Sequence, residues 1–218
     1  QIAAQNGAKR MLIEFSVENY RSIRETQTLS LIAKKDNTLE GSICVGELPG
    51  MGEVRCSKLA AIYGPNASGK SNIFKALRFV KRFVVGSATE LKPDDKVNTD
   101  PFALAAETRE SPSSFDLMFV AGKTRYQYGF CVAGKRVHSE WLFSFPMGKR
   151  RLLYTRDWNQ TTDEYEYSHR RHYKVDPQLK GKTRKNALYL SVAAQFNDEY
   201  LLPVYHWFQE RLATLDFS

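Results

Sequence analysis

Cysteine is scarce in this chain of 218 residues: Cys44, Cys56 and Cys131 are the full set, and no two stand as Cys-x-x-Cys. That spacing excludes a disulfide framework and a cysteine-based zinc site, and it points to a reducing cytoplasmic compartment. Long apolar runs are missing too. Nothing approaches the roughly 18 residues of a membrane-crossing helix, so no membrane partner is expected. Residues 1–10 lack the apolar heart of an export signal; they read as an extension or an added tail and are set aside. Neither an internal repeat nor a low-complexity tract appears. His169 and His172 have no cysteine or carboxylate at ligand spacing, which argues against a metal centre built on them.

The chain does carry 42% apolar residues, enough to bury a real core. Its length suits one large domain or one and a half small ones. A formal charge of +8 fits an anionic partner, either a nucleotide or a nucleic acid.

Residues 12–18 alternate, with Ile13, Phe15 and Val17 on one face and Glu14, Ser16 and Glu18 on the other, as in a half-buried strand. Asn19-Tyr20-Arg21-Ser22 reads as a turn into a second strand over residues 26–33. Glycines and Pro49 make residues 34–57 irregular, with a short strand near Ile43. The short apolar run Leu59-Ala-Ala-Ile-Tyr63 suits a strand buried on both faces. Beyond it, Ile73, Phe74, Leu77, Val80, Phe83 and Val84 recur at helical spacing, and Gly86 supplies the stop. Residues 86–112 are polar, contain Pro93, Pro101 and Pro112, and read as a linker or insertion. From 113 onward, five short alternating runs are split by turns at 122–123, 134–135, 146–148 and 157–160, the texture of an antiparallel meander. An apolar run over 187–194 and a helical pattern of Val204, Phe208, Leu212 and Leu215 close the sequence.

Between the apolar run and the helix lies Gly64-Pro65-Asn66-Ala67-Ser68-Gly69-Lys70-Ser71, which fits G-x-x-x-x-G-K-[ST] without a mismatch. Glycines let such a loop fold its N–H groups around phosphate oxygens. Lys70 supplies a cation to the β and γ phosphates, the Ser71 hydroxyl suits magnesium, and the helix adds its positive dipole end. ATP with Mg2+ is the expected cofactor, with Lys70 as the catalytic residue of the set. Two other Gly-Lys-Thr strings, at 122–124 and 181–183, lack the leading glycine and read as turns.

The stretch from Gly64 to Asn72, with Leu-Ile-Glu-Phe-Ser-Val-Glu-Asn-Tyr-Arg-Ser-Ile upstream, resembles the ABC-type ATPases related to RecF and the SMC proteins. More narrowly it is similar to the "AAA family ATPase" branch of bacterial anti-phage and abortive-infection systems, including OLD-like and PARIS-type subunits. The likeness covers residues 11–33 and 58–85. It implies that Asn66 and Asn72 belong to the nucleotide loop and that Arg21 holds the basic position of the first hairpin. A solvated turn arginine is the alternative for Arg21. The family also places a magnesium-contacting glutamine where its antiparallel subdomain meets its helical one. Gln195 occupies such a junction, with a plain surface glutamine as the alternative.

Other elements of that family are not found after Ser71: the apolar strand ending in Asp-Glu, the Ser-Gly-Gly signature and the switch histidine. Leu212-Ala-Thr-Leu-Asp216 lacks the glutamate, since Phe217 follows. The resemblance therefore implies the N-terminal part of a longer ATPase, one that binds nucleotide better than it hydrolyses it. Basic clusters at 149–151, 169–172 and 180–185, interleaved with Tyr165, Tyr167 and Tyr173, suit a nucleic-acid surface or a solvated face.

The expected fold is α/β: a P-loop NTPase resembling an ABC ATPase head, with a mixed sheet, an antiparallel meander and the start of a helical region. Its expected divisions are 11–85 for the hairpin and P-loop core, 86–112 for the linker and 113–218 for the meander. Such a head would form a homodimer or higher oligomer around ATP and report its state to nucleic acid or to an effector protein such as a nuclease. The rival readings are an ATP-held scaffold with little turnover and a small-molecule kinase. The kinase is disfavoured because neither a lid nor substrate-binding acids follow the helix.

Overall fold

A computed structural model describes residues 10–33, 40–65, 69–210 and 212. Its frame is a seven-stranded sheet ordered β2-β1-β5-β6-β7-β8-β9. The strands are β1 (Arg10–Glu18), β2 (Gln27–Ser30), β5 (Ser113–Ala121), β6 (Thr124–Ala133), β7 (Arg136–Phe145), β8 (Arg151–Asn159) and β9 (Glu164–His169). β3 (Ile43–Leu48) and β4 (Gly52–Ser57) form a separate hairpin. The helices are α1 (Lys70–Gly86), α2 (Ala106–Arg109), α3 (Pro177–Lys182), α4 (Tyr189–Gln195) and α5 (Leu202–Glu210). The meander of β5 to β9 follows the alternating runs closely.

The α/β class holds, but every described strand pairing in the sheet is antiparallel. Among the described residues, 59–63, expected as a strand buried on both faces, form no strand. That segment has no strand partner among the described residues, and Leu59 and Tyr63 are 77% and 89% exposed. β-propensity alone cannot make a strand, because an extended backbone needs a neighbour to take its hydrogen bonds.

Helices α1, α4 and α5 cover one face of the sheet. Phe79 of α1 packs tilted at 5.0 Å on Phe115, and Phe83 lies 5.3 Å from Phe130. Trp207 of α5 sits 4.1 Å above Phe119. The β3–β4 hairpin covers part of the other face, where Leu48 and Cys56 pack on Met11, Ile13 and Val120. One detail of β1 differs from simple alternation. Its pairing steps from Leu12↔Phe119 to Glu14↔Met118, leaving Ile13 as the extra residue of a bulge. Ile13 therefore faces the hairpin, while Phe15 and Val17 face the helices.

A buried ion pair ties the helical layer to the sheet. Glu140 and Arg156 are both fully buried, their charged groups 3.8 Å apart. The Glu140 carboxylate accepts from the hydroxyls of Tyr128 (3.0 Å) and Tyr154 (2.7 Å) and from the backbone N–H groups of Tyr189 (2.7 Å) and Leu190 (3.0 Å). It thus satisfies two of the donors that open α4, whose N-cap residue Leu188 has no side-chain oxygen to offer. Arg156 donates in turn to the carbonyls of Ala187 and Arg184.

Of the basic stretches, the end of 180–185 is used in this packing. Arg184 donates to the carbonyls of Ala88 (3.0 Å) and Leu91 (2.9 Å) just beyond α1, and Lys185 pairs with Asp94 at 2.9 Å. The interleaved tyrosines point inward: the Tyr165 hydroxyl donates to the Val137 carbonyl, and Tyr173 is buried with its hydroxyl on Asp198. Arg150, Arg151, Arg170 and Arg171 are exposed. Among the described residues, no helix is long and apolar enough to cross a membrane.

Candidate functional site

Gly69 is the N-cap of α1 with φ +87 and ψ +3, a left-handed conformation that glycine adopts without steric cost. A Cβ on Gly69 would also lie 2.7 Å from the Ser22 hydroxyl. The turn between β1 and β2 is therefore seated directly on the loop. Asn72 donates from Nδ2 to Ser22 Oγ at 2.7 Å, and the Tyr20 hydroxyl reaches the Lys75 carbonyl at 3.4 Å. Lys70 Nζ donates to the carbonyls of Gly64 (2.6 Å) and Pro65 (2.5 Å), drawing the two ends of the loop together. Ser71 is exposed one residue into the helix. Asn66, Ala67 and Ser68 lie outside the described residues.

The geometry thus concentrates positive character at one point: the N-terminal end of a 17-residue helix, the Lys70 ammonium and a loop that bends through a left-handed glycine. Against this site stands one family match. The family model described as "AAA domain, putative AbiEii toxin, Type IV TA system" matches residues 59–207, more than half of the chain. The chain belongs to this family. No curated protein matches it. The AAA domain accordingly includes the loop, α1, the meander and most of α5.

Several residues of this AAA domain that sequence reasoning singled out are brought together. Gly64, Pro65, Gly69, Lys70, Ser71 and Asn72 form one loop-to-helix unit, and Arg21 sits beside it on the hairpin turn. Arg21 is itself in a left-handed conformation, φ +53, and its guanidinium pairs with Asp100 at 2.6 Å. Its backbone N–H donates to the Asp100 carbonyl as well. Asn19, buried and at φ +50, sends its side-chain amide to the carbonyls of Thr108 and Ser111 and accepts from the Phe102 N–H. The polar segment 98–113 is thus fastened to the turn that touches the P-loop.

Gln195 is not brought to the loop. It ends α4, exposed, with its side chain on the Tyr205 hydroxyl, which in turn donates to the Val85 carbonyl. Val85 is 15 residues past Lys70, about 22 Å along the helix at 1.5 Å per residue. A magnesium ion beside Ser71 is out of its reach. Asp216 and Phe217 lie outside the described residues. Ser22 is the contact that sequence reasoning passed over. The only signal was its place in Asn-Tyr-Arg-Ser, read as a turn rather than as a wall of the loop.

Chemically, the unit suits a polyphosphate. Its backbone donors and Lys70 meet phosphate oxygens, and the Ser71 hydroxyl is a hard oxygen ligand of the kind magnesium takes. The family implies a nucleotide, usually with Mg2+.

Proposed function

We propose that this AAA domain binds ATP with magnesium, forms a homodimer or higher oligomer around it, and passes the nucleotide state to a partner. The observation that carries the reading is the Gly69–Lys70–Ser71 corner, held against the first hairpin by Ser22 and Asn72. Lys70 and the opening N–H groups of α1 hold the β and γ phosphates, and Ser71 holds the metal. Magnesium, when bound, neutralises charge on the phosphates as they part. The family description, with its reference to an AbiEii toxin, supports a role in abortive infection or anti-phage defence. The hairpin motif supports the finer likeness to RecF, SMC, OLD-like and PARIS-type ATPases. The partner is an effector protein such as a nuclease, or nucleic acid meeting the exposed arginines 150, 151, 170 and 171.

The test is calorimetric titration of a non-hydrolysable ATP analogue into the parent chain and Lys70→Ala. Loss of a charge-assisted contact of about 1.5–3 kcal/mol weakens binding at least tenfold. Equal affinity in the two proteins refutes the assignment. A second reading is an ATP-held scaffold with little turnover. Turnover of the protein with its partner separates the two.

A further inference from the structure

A positively lined hollow stands apart from the described part of the P-loop. A cavity of about 380 Å³ runs beside α1, and none of the described residues from 64 to 72 lines it. Its size falls in the range of small-molecule pockets. One wall is the flank of α1, where Lys75, Arg78 and Arg82 follow one another; Arg21 and Lys96 face them from the hairpin turn and the loop after α1. Phe79, Phe83 and Val97 supply apolar surface between these cations.

Two features point to an anion in this cavity. First, α1 carries Lys70, Lys75, Arg78, Lys81 and Arg82 and not one acidic residue. Of these, Lys75, Arg78 and Arg82 line the cavity at three- and four-residue spacing, so like charges meet along one flank of the helix. An anion between them removes that repulsion. Second, among the described residues, the carboxylates that line the cavity are Glu90 and Asp100, one toward each end. Glu90 folds back on Gly86 at the end of α1, its N–H donating to the Gly86 carbonyl, and Asp100 pairs with Arg21 at the hairpin. A continuous polyanion would have to run past both carboxylates. A compact one sits between them.

We propose that this cavity is a second ligand site, specific for a compact phosphorylated molecule of nucleoside-monophosphate size. Its phosphate meets Arg78 and Arg82, and its ring packs on the half-buried Phe79. Arg78 and Arg82 lie about 12 and 18 Å along α1 from Lys70, so the site works without the P-loop and does not depend on the reading given above.

The experiment is calorimetric titration of AMP, without magnesium, into the Lys70→Ala chain, whose P-loop is disabled. One saturable site is expected, weakened at least tenfold by adding Arg78→Ala and Arg82→Ala and unchanged by adding Lys123→Ala and Lys135→Ala. Far-UV circular dichroism checks that each variant is folded. Pyrophosphate, which has the charge without the ring, is expected to bind more weakly than AMP. The proposal is overturned if AMP fails to saturate, if Arg78 and Arg82 prove irrelevant, or if AMP binds the parent chain but not Lys70→Ala. Pyrophosphate binding as tightly as AMP overturns the ring seat. A single-stranded oligonucleotide that binds these same arginines more tightly than AMP makes the cavity a nucleic-acid groove and overturns it too.

Discussion

Replacing Gly69 by alanine tests the contact between the hairpin and the P-loop most directly. The new methyl group costs twice over. An alanine in the left-handed region loses about 1–2 kcal/mol relative to glycine. Its Cβ also lands 2.7 Å from the Ser22 hydroxyl, while the next atom, the Ser22 Cβ, stays at an ordinary 3.9 Å. The hydroxyl must swing away and give up its bond to Asn72, a loss of about 0.5–1.5 kcal/mol. Gly69→Ala should therefore destabilise by about 1.5–3.5 kcal/mol in all. Ser22→Ala alone gives up the same hydrogen bond and nothing more. Adding Ser22→Ala to Gly69→Ala should then cost nothing further, since the bond is already gone. Urea unfolding followed by tryptophan fluorescence reads these differences, with slopes of about 1–3 kcal/mol per molar. Independent sites add to within about 0.5 kcal/mol. A double variant destabilised by the full sum of its singles would show that Ser22 does not touch the loop.

Three further outcomes are expected. Glu140→Ala strands Arg156 and four donors in the core and should lose about 3–5 kcal/mol; in urea, Glu140→Leu with Arg156→Met should be less damaged than Glu140→Ala, and the opposite order would deny the pair its role. Asp116 is held above the ordinary carboxylate range mainly by burial, against the opposing bonds from Trp141 (2.7 Å) and Gln127 and the nearby Arg150 charge, with Glu14 adding to the rise. The folded state thus favours its protonated form, so this contribution is complete below the unfolded value and is lost as pH rises through the folded one. Asp116→Asn should melt higher than the parent at pH 7, with the gap closing below about pH 4, near the ordinary aspartate value; a gap independent of pH would contradict this. Finally, residues 1–218 alone should turn over ATP far below the roughly 1–100 s⁻¹ of efficient phosphoryl transfer; steady-state phosphate release in that range would refute it.

The meander, α1 and the P-loop were legible because each has a local signature: alternation broken by turns, apolar residues at helical spacing, and a fixed glycine-lysine pattern. What escaped depended on partners distant in the chain. In β7, alternation invites the aromatic row Trp141, Phe143 and Phe145 inward, yet Glu140 and Leu142 face the helices, fully buried. Only the tyrosines of β6 and β8 and the start of α4 explain why a carboxylate belongs there. Arg184 and Lys185 looked like surface charge, because the carbonyls left over beyond α1 cannot be seen from residues 180–185. The run at 59–63 has strand composition but no described neighbour to pair with. Gln195 had the right position in sequence and the wrong end of α1 in space.

The way α1 is held has a mechanical consequence. Its first turn is pinned to the hairpin by Asn72 on Ser22, and its far end is gripped by Tyr205 on Val85, Ser191 on the Ala88 N–H and Arg184 on the carbonyls beyond. Phe79 and Phe83, wedged against the sheet, oppose sideways bending. A helix braced this way is a strut, stiff in compression along its hydrogen-bond ladder. A push at the P-loop end arrives some 24 Å away, at the supports formed by α4 and α5, with little of its stroke absorbed on the way.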